Sequence, residues 1–303
     1  MPRRFVEGRQ HQLCTVVGHS PVERCGLCTI KRMKLSKVCN IEDWESDGRA
    51  AVMRRILPYF VEQNAEFPDR MEHRKHWEYA QILLGLERLE VLDRGAMVLA
   101  VAAGQEELIF ELTNRTRWAF ATDIYGAGPF AEREADMAML RDPDSVARCA
   151  YNRRRLVVQC MDALDLRYED ETFDAVYSLS SIEHFGGLDG VRTALAEQCR
   201  VAKIGGIVAF TTEVIINDAE SYHDGHLLLS TADEIEAVSQ SVPGLSLIEP
   251  IDFSVSDRTK DKVTSLADAL ADSQRGHTEY PHIVVEQDGR WFTSIAVFLR
   301  RTR

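Results

Sequence analysis

From residue 96 onward, short and almost continuously apolar runs alternate with segments of helical periodicity. The runs at 97–103, 118–122, 156–160, 173–179 and 206–212 predict strands, and the segments at 105–113 and 189–202 predict helices. Strands that are apolar on both faces occur in parallel sheets covered by helices on both sides. The alternation therefore predicts an α/β fold built on a parallel sheet.

The remainder of the chain divides into zones of different composition. Residues 1–45 are basic and rich in cysteine, and residues 46–95 predict a helical extension with apolar stripes at 49–61 and 76–92. Residues 96–303 would then form the main domain, which carries an N-terminal helical and Cys-rich appendage.

Two further strands are predicted late in the chain. The apolar runs at 246–253 and 291–300 have the length and composition of strands. The polar stretch between them, 254–289, lacks a clear apolar period, and we expect it to be mobile.

Charge and hydropathy exclude several classes of protein. The net charge is −12, which argues against broad nucleic-acid binding because phosphate contacts require an excess of Lys and Arg. The charge is uneven, since residues 1–40 hold eight Lys/Arg and only two Asp/Glu.

No apolar run reaches the roughly 18 residues of a membrane span, and the N-terminus lacks the apolar core of a secretory signal. We therefore expect a cytoplasmic protein with reduced cysteines.

Small and acidic residues follow the predicted strands where a ligand would bind. In open parallel sheets, ligands lie beyond the carboxyl ends of the strands. Ala102 and Gly104 follow the first strand and would let a ligand approach the backbone. Asp123 ends the second strand and could bind the hydroxyls of a ribose, whereas Asp162 follows the third strand and could accept the amino group of an adenine.

The succession of these elements resembles a class I S-adenosylmethionine-dependent methyltransferase. That family shows a glycine turn, an acid after the second strand, an Asp-Ala/Leu pair, a Phe-Asp-x-Val strand and a Lys-x-Gly-Gly turn. Here the last three correspond to Asp162-Ala163-Leu164, Phe173-Asp174-Ala175-Val176 and Lys203-Ile204-Gly205-Gly206. The resemblance covers about residues 75–300 and implies a Rossmann-like parallel sheet with a final antiparallel strand.

The resemblance also implies S-adenosyl-L-methionine as cofactor, held by residues at the strand ends. The candidate cofactor-binding residues are Ala102, Gly104, Glu106, Asp123, Ile124, Asp162, Ala163 and Ser180. The glycine turn departs from the family pattern, because Ala100 and Ala102 replace its acid and first glycine and Glu106 replaces its last glycine. Two interpretations of Glu106 stay open: it holds the cationic methionine end of the cofactor, or it is solvated. Residues 126–154 predict an inserted helix and loop beside the pocket.

Glu183 and His184 are the candidate catalytic residues. They follow the fourth strand, at the mouth of the predicted site, and a neutral histidine can accept a hydroxyl proton near pH 7. A histidine packed against the cofactor, or one bonded to Glu183, is the structural alternative. Glu213 and the segment 222–226 are further candidates for acceptor contacts, and a metal at His223 and His226 is a weaker possibility.

Two resemblances bear on the acceptor. Residues 74–79 and 121–125 are similar to a bacterial subgroup often found near polysaccharide genes, which implies a sugar or glycan hydroxyl. Residues 182–186 are similar to fatty-acid cyclopropane synthases, which widens the range of possible acceptors to lipids.

Two alternative functions stay open. The protein is a small-metabolite or lipid methyltransferase, or it is an inactive partner subunit that binds the cofactor. An oligomer is compatible with the sequence. A nicotinamide-dependent reductase is disfavoured because no Gly-x-Gly-x-x-Gly turn is present.

Four cysteines fall in the basic N-terminal stretch. Cys25 and Cys28 form a two-residue knuckle flanked by Cys14 and Cys39, and four thiolates can close a tetrahedral zinc site. The outer spacings do not match a known zinc pattern, so an iron–sulfur cluster and free thiols remain open, with His19 as a substitute ligand.

Overall fold

The predicted alternation of strands and helices forms a central mixed sheet in the computed structural model of the protein. The structure describes residues 33–45, 47–64, 66–67, 71–274 and 281–303. The helices are Asp47–Ile56 (α1), Pro58–Glu62 (α2), Arg74–Arg88 (α3), Leu108–Arg115 (α4), Ala138–Arg141 (α5), Leu188–Val201 (α6), Ala232–Ser239 (α7), Asp257–Lys260 (α8) and Leu266–Gln274 (α9).

The strands of the main sheet confirm the predicted fold class. They are Lys37–Val38 (β1), Met97–Val101 (β2), Trp118–Asp123 (β3), Leu156–Cys160 (β4), Phe173–Leu179 (β5), Ala202–Ile215 (β6), Leu245–Leu247 (β9), Val263–Ser265 (β10), Val284–Gln287 (β11) and Arg290–Arg301 (β12). Tyr222–His223 (β7) and Leu228–Leu229 (β8) form a separate hairpin. The sheet order is β10-β11-β12-β6-β5-β2-β3-β4, with β4, β3, β2, β5 and β6 parallel and β12 antiparallel to β6. This is a Rossmann-like sheet with a final antiparallel strand.

Three short strands pair with the edge of β12 that faces away from β6. β11 pairs at residues 290–292, β1 at 295–296 and β9 at 299–301. Each supplies hydrogen bonds that a long strand would otherwise leave open to another chain. The predicted strand at 246–253 is therefore wrong in length, because β9 meets only the last residues of β12.

The stretch between the two late strands is more ordered than the sequence indicated. Within 254–289 the structure places α8, β10, α9 and β11, so the described part of this stretch contains regular elements, and its mobility stays a prediction. Local capping explains part of the order, since the Ser256 hydroxyl accepts a hydrogen bond from the Thr259 amide at the start of α8. Buried Val284 and Val285 hold β11 against the core.

Proline divides the first predicted helix. The apolar stripe at 49–61 forms α1 and α2, which meet at Leu57 and Pro58. Proline lacks the amide proton that would continue the hydrogen-bond ladder of α1, yet it suits the first turn of a new helix. The inserted segment contains α5 within otherwise irregular chain, as the sequence predicted for residues 126–154.

Each face of the sheet carries its own apolar layer. Ala100, Ala175 and Ala209 lie on the face that packs against α1, α3 and α4, whereas Val176 and Phe210 lie on the face towards α6 and α7. Side chains alternate along a strand, so neighbouring residues supply opposite layers. No described helix is long and apolar enough to cross a membrane.

Helix α3 approaches the sheet most closely at Gly85. A β-carbon added at Gly85 would lie 2.2 Å from the Cζ atom and 2.5 Å from the Cε1 atom of the Phe298 ring on β12. Glycine normally weakens a helix interior by about 1 kcal/mol relative to alanine. Here the absence of a side chain lets the fully buried ring of Phe298 occupy that space.

We expect Gly85→Ala to destabilise the protein by about 1–3 kcal/mol, although alanine is the better helix former. The methyl group would force the Phe298 ring from its place. Chemical denaturation measures the change in the free energy of unfolding. The double variant Gly85→Ala/Phe298→Leu should recover part of the loss, and a stabilised single variant would contradict the packing argument.

Candidate functional site

Asp123 ties the turn after β2 to the end of β3. Its Oδ2 accepts the amide of Gly104 at 2.8 Å and its Oδ1 accepts the amide of Ile124 at 2.7 Å. The Tyr125 hydroxyl donates to the Gly104 carbonyl at 3.0 Å. Burial raises the pKa of Asp123, and the two amide hydrogen bonds oppose that shift. Gly104 and Asp123, predicted separately as cofactor ligands, are therefore direct partners.

Ala102 and Ser180 adopt a rare backbone conformation at the ends of two adjacent strands. Their φ angles are +50° and +42°, which cost a residue with a side chain about 1–3 kcal/mol. Such conformations concentrate at ligand sites. The Ser180 hydroxyl points into the protein, where it donates to Glu78 at 2.8 Å. The Ser180 side chain has therefore no proton left to donate to a cofactor, and its backbone and acceptor lone pairs remain.

Glu106 is buried beside the glycine turn. It is 7% exposed and accepts a short hydrogen bond from the Tyr177 hydroxyl on β5. The interpretation of Glu106 as a solvated surface charge is therefore wrong. Burial raises its pKa to about 8, although the hydrogen bond from Tyr177 opposes the shift.

Other carboxylates lie near Glu106, and two of them are paired with cations. Glu107, Asp123 and Glu78 each add to the rise in the Glu106 pKa through their negative charge. Glu107 pairs with Arg148 at 3.4 Å, and Glu78 pairs with Lys75 at 3.3 Å. Because its pKa is about 8, Glu106 is largely protonated near pH 7, and a cation bound beside it would favour its ionised form.

Asp162 and Ala163 lie in the turn after β4. Asp162 is exposed, and its Oδ1 accepts the amide of Leu164 at 2.9 Å, a hydrogen bond that stabilises the turn. Its second oxygen carries no hydrogen bond among the described residues and is open to a ligand. Ala163 is buried in the apolar layer beneath.

Glu213 forms a buried ion pair with the start of α3. The sequence places it after the fifth strand, but it lies within β6 and is 4% exposed. Its Oε1 accepts from Arg74 Nη1 at 2.5 Å and from Lys75 Nζ at 2.9 Å. Burial alone would raise the pKa of Glu213, but Arg74 and Lys75 lower it to about 2. Glu213 is therefore ionised, and its Oε1 atom is bound by these two cations.

Glu78 is a site residue that sequence reasoning missed. It is 1% exposed and accepts hydrogen bonds from the hydroxyls of Ser180, Thr211 and Ser294. The segment 74–79 stood out only through its resemblance to a bacterial subgroup. The signal that could have indicated its role is a charged triplet, Arg74, Lys75 and Glu78, in a helix that is otherwise apolar on that face.

Glu183 is enclosed rather than placed at the mouth of the site. It is 2% exposed and accepts the Thr212 hydroxyl at 2.9 Å. Burial raises its pKa, with Lys75 and His184 opposing the shift. The expectation that Glu183 lies at the open mouth of the site is therefore wrong, because Thr212 of β6 lies against its carboxylate. The half-buried His184 does not bond to Glu183, since its Nδ1 meets the His226 carbonyl at 2.6 Å.

The inserted segment covers both the glycine turn and His184. A β-carbon on Gly104, whose φ is +51°, would lie 2.6 Å from the Glu134 carbonyl oxygen. The Phe130 ring lies 4.7 Å from the His184 ring. The residues between β3 and β4 thus form a wall that connects the predicted cofactor and acceptor sides.

The metal predictions find no support in the described residues, where no group of three His, Cys, Asp or Glu side chains could hold an ion. Cys14, Cys25 and Cys28 lie outside the residues that the structure describes. Cys39 is fully buried as a free thiol, and burial raises its pKa. The four-cysteine site stays a prediction, whereas the metal suggested at His223 and His226 is not formed.

A segment in the middle of the chain matches a known domain family. Residues 127–210 match the methyltransferase domain family. The match begins after Asp123 and covers the inserted segment, β4, β5, α6 and most of β6. Together with the strand order, it supports a class I S-adenosylmethionine-dependent methyltransferase.

Solved structures resemble the chain at low sequence identity. The YcgJ protein from Bacillus subtilis is 15% identical, with a TM-score of 0.46 over 75% of this chain and 99% of that one. Magnesium protoporphyrin IX methyltransferase from Synechocystis PCC 6803, solved with bound S-adenosylhomocysteine, is 9% identical, with a TM-score of 0.45 over 74% of this chain and 82% of that one. The ligands named there are those proteins' own.

The buried acid at Glu106 should make stability depend on pH. Its pKa is about 8 in the folded protein against 4.5 for an unperturbed glutamate, so the folded state binds this proton more tightly. Stability is therefore lost as the pH rises from about 4.5 to about 8. We expect Glu106→Gln to reduce this loss, as measured by chemical denaturation across that range.

Tyr177→Phe should raise the pKa of Glu106 further, whereas Glu106→Gln removes the titrating group. The Tyr177→Phe substitution removes the hydrogen bond that favours ionised Glu106, so the loss of stability should extend to higher pH. Identical pH profiles of the wild type and Glu106→Gln would contradict the assignment of a raised pKa to Glu106.

Proposed function

We propose that the protein transfers the methyl group of S-adenosyl-L-methionine to a hydroxyl of a sugar or glycan precursor. The observation that carries the proposal is the pair of acidic side chains beside Gly104, the buried Glu106 and the half-buried Asp123, at the carboxyl edge of a sheet in the methyltransferase strand order. Ligands of open parallel sheets bind at that edge. The family match over residues 127–210 supports the same chemistry.

The residues around Gly104 fit a cationic cofactor. Bound there, the cofactor would supply a methyl group activated by a positive sulfur. The positive sulfur and the ammonium group would favour the ionised form of Glu106, whose pKa is about 8 in the structure, while Asp123 and the open oxygen of Asp162 would meet the ribose and adenine. Gly104 has no room for a side chain because the Glu134 carbonyl lies against it, and its hydrogen bonds with Asp123 and Tyr125 fix the shape of the turn beside the proposed cofactor.

His184 is oriented to act as a base. A carbonyl oxygen can only accept, so the contact with the His226 carbonyl requires the proton on Nδ1. Nε2 then carries a lone pair and can take the proton of an acceptor hydroxyl. Phe130 packs against the ring and limits its rotation. Methyl transfer otherwise depends on proximity and alignment of the acceptor.

The acceptor class is supported by resemblance alone. Residues 74–79 and 121–125 are similar to a bacterial subgroup often found near polysaccharide genes, which favours a sugar hydroxyl. The similarity of residues 182–186 to cyclopropane synthases favours a lipid instead. A protein that binds the cofactor without transferring its methyl group is the remaining candidate, because the glycine turn has lost two glycines.

Asp123→Ala should weaken binding of S-adenosylhomocysteine by tenfold or more, on the order of 1.4 kcal/mol. The substitution removes both the predicted ribose contact and the carboxylate that orders Gly104. Isothermal titration calorimetry measures the affinity. The control Asp165→Ala removes an exposed carboxylate after β4 that pairs only with Arg167. Absence of binding to the wild type at millimolar concentration would refute the cofactor assignment.

His184→Gln should lower the rate of methyl transfer while leaving S-adenosylhomocysteine affinity unchanged. The glutamine cannot accept a hydroxyl proton near neutral pH, and the expected loss is about 10²–10⁴-fold. Release of S-adenosylhomocysteine, followed with panels of sugar and lipid acceptors, measures the rate. Turnover of lipids alone would replace the sugar assignment, and full activity of the variant would remove His184 from the chemistry.

A further inference from the structure

A second pocket lies at the opposite end of the sheet from the glycine turn. It has a volume of about 450 Å³ and is lined by Arg94, Arg117, Trp118, Asn152, Arg154 and Arg155. These residues precede or begin β2, β3 and β4, whereas the predicted cofactor site lies at the other ends of the same strands. The six residues of β3 separate the two sites by about 17–20 Å. We call this the arginine pocket.

Four arginines meet in this pocket without a carboxylate in its lining. Within the part of the chain that the structure describes, the side chains of Arg94, Arg117 and Arg154 form neither a hydrogen bond nor an ion pair. The chain as a whole has a net charge of −12, so this concentration does not follow from its composition. Like charges repel one another, and a bound anion would offset the repulsion that solvent leaves unscreened.

Neighbouring arginines outside the pocket are paired. Arg153 contacts Asp144 at 2.5 Å, and Arg115 contacts Glu111 at 2.8 Å. Carboxylates are thus available on the same surface, and the pocket arginines are left without them. Arg153 and Arg154 are adjacent in sequence, yet among the described residues only the side chain of Arg153 pairs with a carboxylate.

The pocket wall is held in place by hydrogen bonds. The Asn152 amide donates to the Thr113 hydroxyl at 2.8 Å, and the Asn152 side chain accepts the Arg154 amide at 3.2 Å. Arg155 Nη1 donates to the Thr116 carbonyl at 2.9 Å. A pre-formed wall lowers the entropy cost of ligand binding.

We propose that the arginine pocket binds a small molecule that carries two or more phosphate groups on a planar ring. Guanidinium groups match phosphate oxygens in charge and geometry. The Trp118 side chain, 36% exposed in the lining, offers a flat surface for the ring. The volume is that of a small-molecule site rather than a nucleic-acid groove.

Calorimetry with uridine diphosphate, pyrophosphate and uridine tests the proposal. Uridine diphosphate should bind most tightly, pyrophosphate more weakly and uridine not measurably. Arg117→Ala/Arg154→Ala should weaken uridine diphosphate binding by at least about tenfold, because it removes two charge-assisted contacts. Trp118→Ala should weaken binding of uridine diphosphate but not of pyrophosphate. Thermal unfolding should show that these exposed substitutions leave the fold intact.

Arg153→Ala is the matched control. It removes the same charge from the same turn, outside the pocket lining. Equal loss of affinity in Arg153→Ala would reveal general attraction rather than a site and would overturn the proposal. Undiminished binding to Arg117→Ala/Arg154→Ala, equal affinity for pyrophosphate and uridine diphosphate, or binding of a single-stranded RNA without binding of uridine diphosphate would overturn it as well.

Discussion

The hydrogen bonds to Glu78 join the N-terminal helices to the sheet. Its carboxylate accepts hydroxyl protons from Ser180 at the end of β5, Thr211 in β6 and Ser294 in β12. A buried carboxylate is tolerated only when its oxygens are satisfied, and here three strands and Lys75 supply the partners. Helix α3 is therefore an integral part of the site, even though it precedes the first strand of the parallel sheet.

The charges of the molecule separate along the strands. Acidic side chains, among them Glu106 and Asp123, lie at the carboxyl ends of the parallel strands, and arginines without a partner among the described residues lie at the amino ends of β2, β3 and β4. The net charge of −12 conceals this arrangement. A single sheet can thus present surfaces for a cation and for an anion, because its two ends are far enough apart for water and salt to screen one from the other.

Local pattern was sufficient for the strands of the parallel sheet but not for the site or for the short strands that pair with β12. The predicted strands at 156–160 and 173–179 match β4 and β5 in both ends, because apolar runs bounded by turns are local signals. Glu78 meets Ser294 across 216 residues, and Arg74 meets Glu213 across 139, so no local pattern could reveal these pairs. Glu183 was misplaced for the same reason, since Thr212 on another strand decides its burial.

The departures in the glycine turn have a physical explanation in the inserted segment. The Glu134 carbonyl occupies the space where a β-carbon on residue 104 would lie, so only glycine fits there. At residue 102 the chain carries alanine, which adopts a φ of +50° at a moderate cost in conformational energy. At residue 106 the turn has room for a side chain, and Tyr177 provides a donor for the carboxyl group placed there. The one retained glycine is therefore the position of the turn where no side chain fits, and the two replaced positions are those where side chains can be accommodated.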